Sequence, residues 1–174
     1  YASKDPAAAL QWSLEIGNDS LRTQALTALA NAWGKNDPLL ALQTFRALED
    51  EKLSNMGIYN TAINWAQKDP EQARQWVEVN VAQDPKAAAQ VTSALMESWV
   101  SLDPQAASQW MADLPEGQQR IAAIVGLAQS RELYKSPDAV LEWVMTLPAD
   151  EKFNYGRHPT DRKTLMTRTL ERLK

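Results

Sequence analysis

Apolar residues recur along the chain in two alternating helical patterns. One places a small, an aromatic and an aliphatic residue on a single helical face, as in Ala107, Trp110 and Leu114. The other places apolar residues at i, i+1, i+4, i+5 and i+8, as in LRTQALTALANAW at positions 21–33. Both spacings are typical of amphipathic helices. The pattern therefore predicts an all-α chain of about ten helices with no sheet.

An Asp-Pro pair opens each occurrence of the first pattern. The stretches YASKDP, WGKNDP, WAQKDP and WVSLDP each place an aromatic residue four positions before the Asp. The pairs are Asp5-Pro6, Asp37-Pro38, Asp69-Pro70 and Asp103-Pro104, with Ser136-Pro137 as a weaker fifth copy, and their prolines are 32, 32, 34 and 33 residues apart. Asp accepts hydrogen bonds from the free N–H groups of a helix start, where Pro needs no donor partner. Each pair therefore predicts the start of a helix.

The chain repeats a pair of helices about every 33 residues. One amphipathic pair cannot bury both of its apolar faces, whereas stacked pairs can. We therefore predict one domain over residues 1–174, a right-handed α-solenoid of about five stacked helical hairpins. Its repeats are expected at about 5–36, 37–68, 69–102, 103–135 and 136–174.

Tyr1 occupies the repeat position held later by Trp33, Trp65 and Trp99. That position is the last turn of the second helix of a repeat. We therefore expect the chain to be a fragment of a longer protein with at least one further hairpin upstream. A native N-terminus that happens to begin with an aromatic residue is the alternative.

Tryptophan is unusually frequent, with seven residues against two Phe. These residues recur in two columns, one within the first helix of a repeat and one at the end of the second, and they are Trp12, Trp33, Trp65, Trp76, Trp99, Trp110 and Trp143. In the second copy the first column holds Thr44, with Phe45 beside it. Aromatic residues beside small ones at helical spacing favour a packed core. A row of glycan-stacking rings is the alternative.

The period and the boundary Pro resemble those of tetratricopeptide repeats, which run 34 residues. The Leu-Gly pair of that family is not met, because its places hold Glu15-Ile16 and Asp113-Leu114. The pattern W-A-x-x-D-P-x-x-A-x-x-W, with a loop such as LPEGQQR, is more similar to the Trp/Asp-Pro helical repeats of bacterial proteins. This resemblance covers nearly the whole chain. It implies a bacterial source and a tetratricopeptide-like solenoid, and it implies no activity.

The amino-acid composition of the chain excludes several kinds of functional site. The chain has no cysteine, which excludes disulfides, thiol catalysis and zinc–thiolate sites. Its net charge of -4 argues against a nucleic-acid binder. The longest apolar run, residues 121–128, is too short to span a membrane. No cofactor is expected, and the location stays open between bacterial periplasm and cytoplasm, with the periplasm slightly favoured.

Residues peculiar to a column or a copy are the candidates for partner binding. Gln11, Gln75 and Gln109 precede the Trp column and could hydrogen-bond an extended backbone. A solvated outer face is the alternative. Tyr59 stands where other copies have Thr27, Ser93 and Val125, and it is either an exposed aromatic for a partner or a local packing adjustment.

The C-terminal end supplies two further candidates. From residue 157 onward there are six Lys/Arg against two Asp/Glu, which gives this end a net charge of +4. The rest of the chain therefore has a net charge of -8. Arg168 and Arg172 on this last helix either form a docking patch for an acidic partner or belong to a solvated capping helix. The only histidine, His158, lies near charged residues in an insert. We expect a turn there, with Thr160 or Asp161 capping the final helix, in preference to a catalytic site.

The expected function is a non-catalytic scaffold that binds a protein or peptide. Solenoids present extended concave surfaces suited to that purpose. The alternative is a structural spacer or platform for a catalytic or membrane-anchored region outside the chain. An enzyme, for example a cell-wall lyase with its catalytic domain elsewhere, is the least favoured, because no nucleophile elbow, P-loop, Rossmann fingerprint or EF-hand loop is present.

Overall fold

A computed structural model describes residues 6–155 and 159–173, and this part of the chain is mainly helical. The helices are α1 (Pro6–Leu14), α2 (Asp19–Asn36), α3 (Pro38–Arg46), α4 (Glu51–Lys68), α5 (Pro70–Asn80), α6 (Pro85–Leu102), α7 (Pro104–Asp113), α8 (Gln118–Gln129), α9 (Glu132–Lys135), α10 (Pro137–Met145) and α11 (Arg162–Glu171). Two short strands, β1 (Lys152–Phe153) and β2 (Thr160–Asp161), complete it. The prediction that the chain folds mainly into α-helices is confirmed.

The expectation of no sheet is wrong. Strands β1 and β2 pair antiparallel, with Lys152 opposite Asp161 and Phe153 opposite Thr160. Phe153 is fully buried, so β1 is anchored in the protein interior while its backbone groups pair with those of β2. A strand of two residues is too short to show the alternation by which strands are found in a sequence.

The Asp-Pro pairs start helices as predicted. The carboxylate accepts a hydrogen bond from the amide three residues later at Asp37 (3.1 Å), Asp69 (2.9 Å) and Asp103 (3.0 Å). Pro follows at the first helical position in each case. The fifth copy also begins at its Pro, although the Ser136 side chain makes no capping bond. Asp5 lies outside the described residues.

The long helices α2, α4, α6 and α8 form one layer. Each contacts the next in the order α2, α4, α6, α8, and the short helices α1, α3, α5 and α7 each pack against the long helix that follows them. Helix α10 contacts α8 and α11 at the C-terminal end. The repeated pair of the sequence is thus a short helix followed by a longer one.

Two glycines allow the long helices to approach backbone to backbone. A Cβ atom added at Gly126 of α8 would lie 2.2 Å from the carbonyl oxygen of Ser93 in α6. One added at Gly34 of α2 would lie 2.5 Å from the carbonyl oxygen of Thr61 in α4. Both distances are shorter than van der Waals contact, so these positions require the absence of a side chain.

The Trp columns meet between consecutive helices. The rings of Trp99 and Trp110 are 5.9 Å apart, and those of Trp65 and Trp76 are 6.4 Å apart. The expected core placement is confirmed for Trp33, Trp65, Trp99 and Trp110, which are buried, and for Trp76 and Trp143, which are half-buried. The last turn of a long helix therefore packs on the aromatic residue of the next short helix.

Trp12 is the exception, and its expected core placement is wrong. Its side chain is 65% exposed. The column partner of Trp12 would be an aromatic residue at the end of a long helix before α1, and within the described residues no long helix precedes α1.

The second copy preserves the aromatic pair with different residues. Phe45 takes over from the missing Trp, is fully buried, and packs 5.7 Å from Trp33. The Phe45 ring fits because Gly57 has no side chain, since a Cβ atom added there would lie 2.1 Å from the ring. The equivalent pair in the third copy is Val77 and Val91, both buried. In the second copy the short helix supplies a large residue and the long helix a glycine, whereas in the third copy each helix supplies a valine. The two copies thus fill a similar volume with different residues.

Candidate functional site

The predicted Gln column lies on the exposed side of the short helices. Each amide donates to a carboxylate about one helical turn away in the chain, and the pairs are Gln11 to Glu15 (2.9 Å), Gln75 to Glu71 (3.3 Å) and Gln109 to Asp113 (3.0 Å). The three residues therefore face solvent at separate helices, with their donors engaged locally. Binding of an extended backbone by this column stays a prediction.

Tyr59 lies inside the long-helix layer. It is only 5% exposed, and its hydroxyl donates a hydrogen bond to the carboxylate of Glu97 on α6. The residue thereby links two neighbouring long helices. This placement favours the packing interpretation of Tyr59, and the residue also lines the α4 cleft described below.

The basic residues of the last helix are accessible. Arg168 on α11 and Arg172 just after it are exposed, while Leu165 and Thr169 of the same helix are buried. The expected cap is confirmed at Asp161, whose carboxylate accepts a hydrogen bond from the amide of Thr164. That bond lowers the pKa of Asp161 below its usual value. His158 lies outside the described residues.

A polar groove joins the second and third copies. Arg46 forms an ion pair with Asp84 at 2.6 Å, and Lys86 forms one with Glu51 at 2.7 Å. The hydrogen bond and the charge of Lys86 lower the pKa of Glu51. Each cation in these pairs already has a carboxylate partner in the neighbouring repeat. We therefore assign these charges to contacts between repeats in preference to ligand binding.

A second cleft, the α4 cleft, lies between α4 and the segment that joins α10 to α11. Its volume is about 640 Å³, and its walls include Met56 and Asn60 of α4, Thr23 of α2, and Asn154 and Pro159 of the C-terminal segment. The C-terminal segment therefore reaches back from the fifth copy to the second. Residues about a hundred positions apart in sequence share this one concavity.

The α4 cleft combines apolar walls with amide groups. Leu53, Met56 and Pro159 supply apolar surface, and Asn60 and Asn154 supply donors and acceptors. The amide nitrogen of Asn60 donates to the carbonyl of Met56 at 2.9 Å, which holds that side chain along α4. A mainly apolar concavity with a few placed polar groups is the usual form of a site for a small ligand or a peptide side chain.

Sequence reasoning did not identify the α4 cleft. Its residues belong to different repeats, and Tyr59 is the one among them that the sequence singled out. The insert before α11, which is peculiar to the fifth copy, is a second signal that could have pointed to it.

The described residues provide few other sites. Among them there is no group of three His, Cys, Asp or Glu that could hold a metal ion. No helix within residues 6–155 or 159–173 is both long and apolar enough to cross a membrane.

The chain was compared with protein-family models, curated proteins and solved structures. None of the three comparisons found a match.

Proposed function

We propose that the chain is a right-handed, tetratricopeptide-like α-solenoid of the bacterial Trp/Asp-Pro repeat kind. Two features support this arrangement: the repeat period in the sequence, and the contacts of each long helix with the next. Repeats that contact mainly their neighbours are the defining property of solenoids. Handedness is carried over from the resemblance.

We infer that this solenoid is a non-catalytic scaffold that binds an extended segment of another protein. The observation that carries this inference is the α4 cleft, a mainly apolar concavity lined in part by the amides of Asn60 and Asn154. The charged residues Glu51 and Lys52 also line it. An apolar side chain of the partner fills the cleft, and the flanking amides hydrogen-bond its backbone. No step of covalent chemistry is assigned to these residues.

The test is a peptide selection followed by affinity measurement. A displayed library of random peptides is selected on the 174-residue chain, and the Kd of an enriched peptide is measured by isothermal titration calorimetry. The double variant Asn154→Ala, Pro159→Ala removes one edge of the cleft at two exposed positions. We expect its Kd to rise about tenfold, the equivalent of about 1.4 kcal/mol.

The matched control changes the Gln column instead. A triple variant with Ala at Gln11, Gln75 and Gln109 should bind the same peptide with unchanged Kd. If the control loses binding and the cleft variant keeps it, the site lies on the short helices and the α4 cleft proposal is wrong. If no peptide is enriched, the scaffold proposal itself fails.

A structural spacer is the second candidate function, and the Gln column favours it. Its amide nitrogens donate to carboxylates about one turn away in the chain, which is the local pairing expected of a solvated surface. A spacer predicts that no peptide is enriched and that Kd cannot be measured for either variant.

A further inference from the structure

The polar groove between the second and third copies has a buried amide in its wall. The volume of the groove is about 660 Å³, and Gln90 of α6 lines it together with Ser54 and Ile58 of α4. Gln90 is only 2% exposed, and its side-chain oxygen Oε1 accepts no hydrogen bond from any of the described residues. A buried acceptor without a partner is unfavourable, so its presence here calls for an explanation.

Packing between repeats does not require a glutamine at this position. Counted back from the Asp that follows each long helix, Gln90 corresponds to Met56 in α4 and to Gln24 in α2. Gln24 is exposed, and its amide donates to the hydroxyl of Ser20 at 3.3 Å. Met56 is partly buried and packs against the hydrophobic core. An apolar residue can therefore fill the position where a neighbouring repeat covers it, and Gln90 keeps a polar group there instead.

The charged side chains of the polar groove leave one carboxylate outside its ion pairs. The groove is lined by two cationic and three anionic side chains. Four of them form the two ion pairs, which are Arg46 with Asp84 and Lys86 with Glu51. The fifth is Glu49, which is exposed in the loop before α4. The groove thus has an excess of negative charge, which favours a cationic ligand.

The polar groove and the α4 cleft are neighbours. Glu51 and Asn55 of α4 line both of them. The cleft offers a mainly apolar wall, whereas the groove offers a carboxylate and an amide. An extended segment that places an apolar side chain in the α4 cleft therefore has the polar groove within reach of a second side chain.

We propose that the polar groove binds an arginine side chain of the extended segment whose apolar side chain fills the α4 cleft. A guanidinium group has five N–H donors and no acceptor, so it suits a carboxylate and an amide oxygen together. Glu49 supplies the charge. Gln90 Oε1 accepts a hydrogen bond once the amide turns about its last torsion, which is soft in glutamine. That one segment occupies both concavities rests on the proposed function, whereas binding of the guanidinium to the groove does not.

The test uses blocked amino acids, so it needs no selected peptide. Nα-acetyl-arginine methylamide is titrated into the isotope-labelled 174-residue chain, and the side-chain amide signal of Gln90 is followed by NMR. The absence of that signal in the Gln90→Met variant assigns it. Nα-acetyl-citrulline methylamide is the matched probe, because it has the shape of the arginine probe without its charge.

We expect the arginine probe to shift the Gln90 signal and to bind at least about tenfold more tightly than the citrulline probe. Glu49→Gln should bring the two probes to similar Kd. Gln90→Met should abolish arginine binding, read at the backbone amide of Ala87, without lowering Tm, because it removes an acceptor that has no partner. Gln24→Met, the same substitution at the exposed equivalent position, should leave Kd unchanged.

Equal Kd of the two probes for the unchanged chain would overturn the proposal, and so would arginine binding that survives Gln90→Met. If Gln90→Met lowers Tm, Glu49→Gln decides instead, and unchanged arginine affinity in that variant contradicts the proposal. A peptide that binds at the α4 cleft when the arginine probe does not bind refutes the arginine site and leaves the proposed function standing. Arginine binding at the groove with no peptide enriched supports the site and refutes the proposed function.

Discussion

Helices α6 and α2 hold the same place in their repeats and have the same length, yet their surroundings differ. In α6, 13 of 18 residues are buried, whereas α2 buries five. Helix α6 contacts the long helices α4 and α8, whereas within residues 6–155 and 159–173 the long helix that α2 contacts is α4. The comparison indicates that burial of a long helix depends on how many long helices it contacts as well as on its own residues.

The polar residues of α6 show the consequence for function. Thr92 is fully buried and donates to the side chain of Gln119 on α8 at 2.8 Å. Gln119 in turn donates to the carbonyl of Pro85 at 3.3 Å. A polar residue on a long helix therefore serves the interface between repeats when the next repeat is present, and it does not by itself mark a binding surface.

The largest expected effect separates two Trp residues of one column. Trp110→Ala removes a buried ring that packs on Trp99, and we expect it to lower the free energy of unfolding by about 3–5 kcal/mol. Trp12→Ala should change it by less than about 0.5 kcal/mol, because that ring is exposed. Urea unfolding followed by circular dichroism measures both. Similar losses for the two variants would show that position in the array does not decide burial.

An effect of intermediate size tests whether Phe45 and Gly57 compensate each other in volume, so that a pair of valines could replace them as in the third copy. Gly57→Val alone forces a side chain into the Phe45 ring and should destabilise the chain by about 1–3 kcal/mol. Combined with Phe45→Val, which recreates the Val77 and Val91 pair, the loss should be smaller than the sum of the two single losses. A double-mutant cycle of urea unfolding gives the coupling. Additive losses would mean that the two positions do not compensate each other.

The smallest effect distinguishes α11, the last helix, from α6, which contacts long helices on both sides. The pKa of Asp161 is lowered by its hydrogen bond to the amide of Thr164, so its stabilising effect on α11 is complete above the usual value of 3.8. It is lost as pH falls through the lower pKa of the folded state. Amide protection in α11, taken relative to the intrinsic exchange rate at each pH, should therefore fall below about pH 3.8 before that of α6 does. Asp161→Asn keeps a capping side chain without a titrating carboxyl and should remove this pH dependence.

Local features of the fold could be predicted from the sequence because their causes are local. The Asp-Pro starts and the apolar stripe containing Leu26 and Leu29 depend on residues within one helix, and both are found as expected. The cap at Asp161 belongs to the same class.

The remaining features depend on which elements meet in space. Trp12 has the sequence context of Trp110, and only its lack of a neighbour in the described residues exposes it. The α4 cleft unites Asn60 and Asn154, which no repeat column relates to each other. The Gln column was visible in the sequence, but its local pairing with carboxylates depends on side-chain conformation.

Native-state amide hydrogen exchange, read by mass spectrometry along the chain, tests the central comparison most directly. We expect the slowest exchange in α6 and faster exchange in α1 and α2, because opening the first hairpin breaks one interface between long helices and opening α6 breaks two. Equal protection of α2 and α6 would contradict the account, since it would show that the first hairpin is as firmly enclosed as the centre of the array.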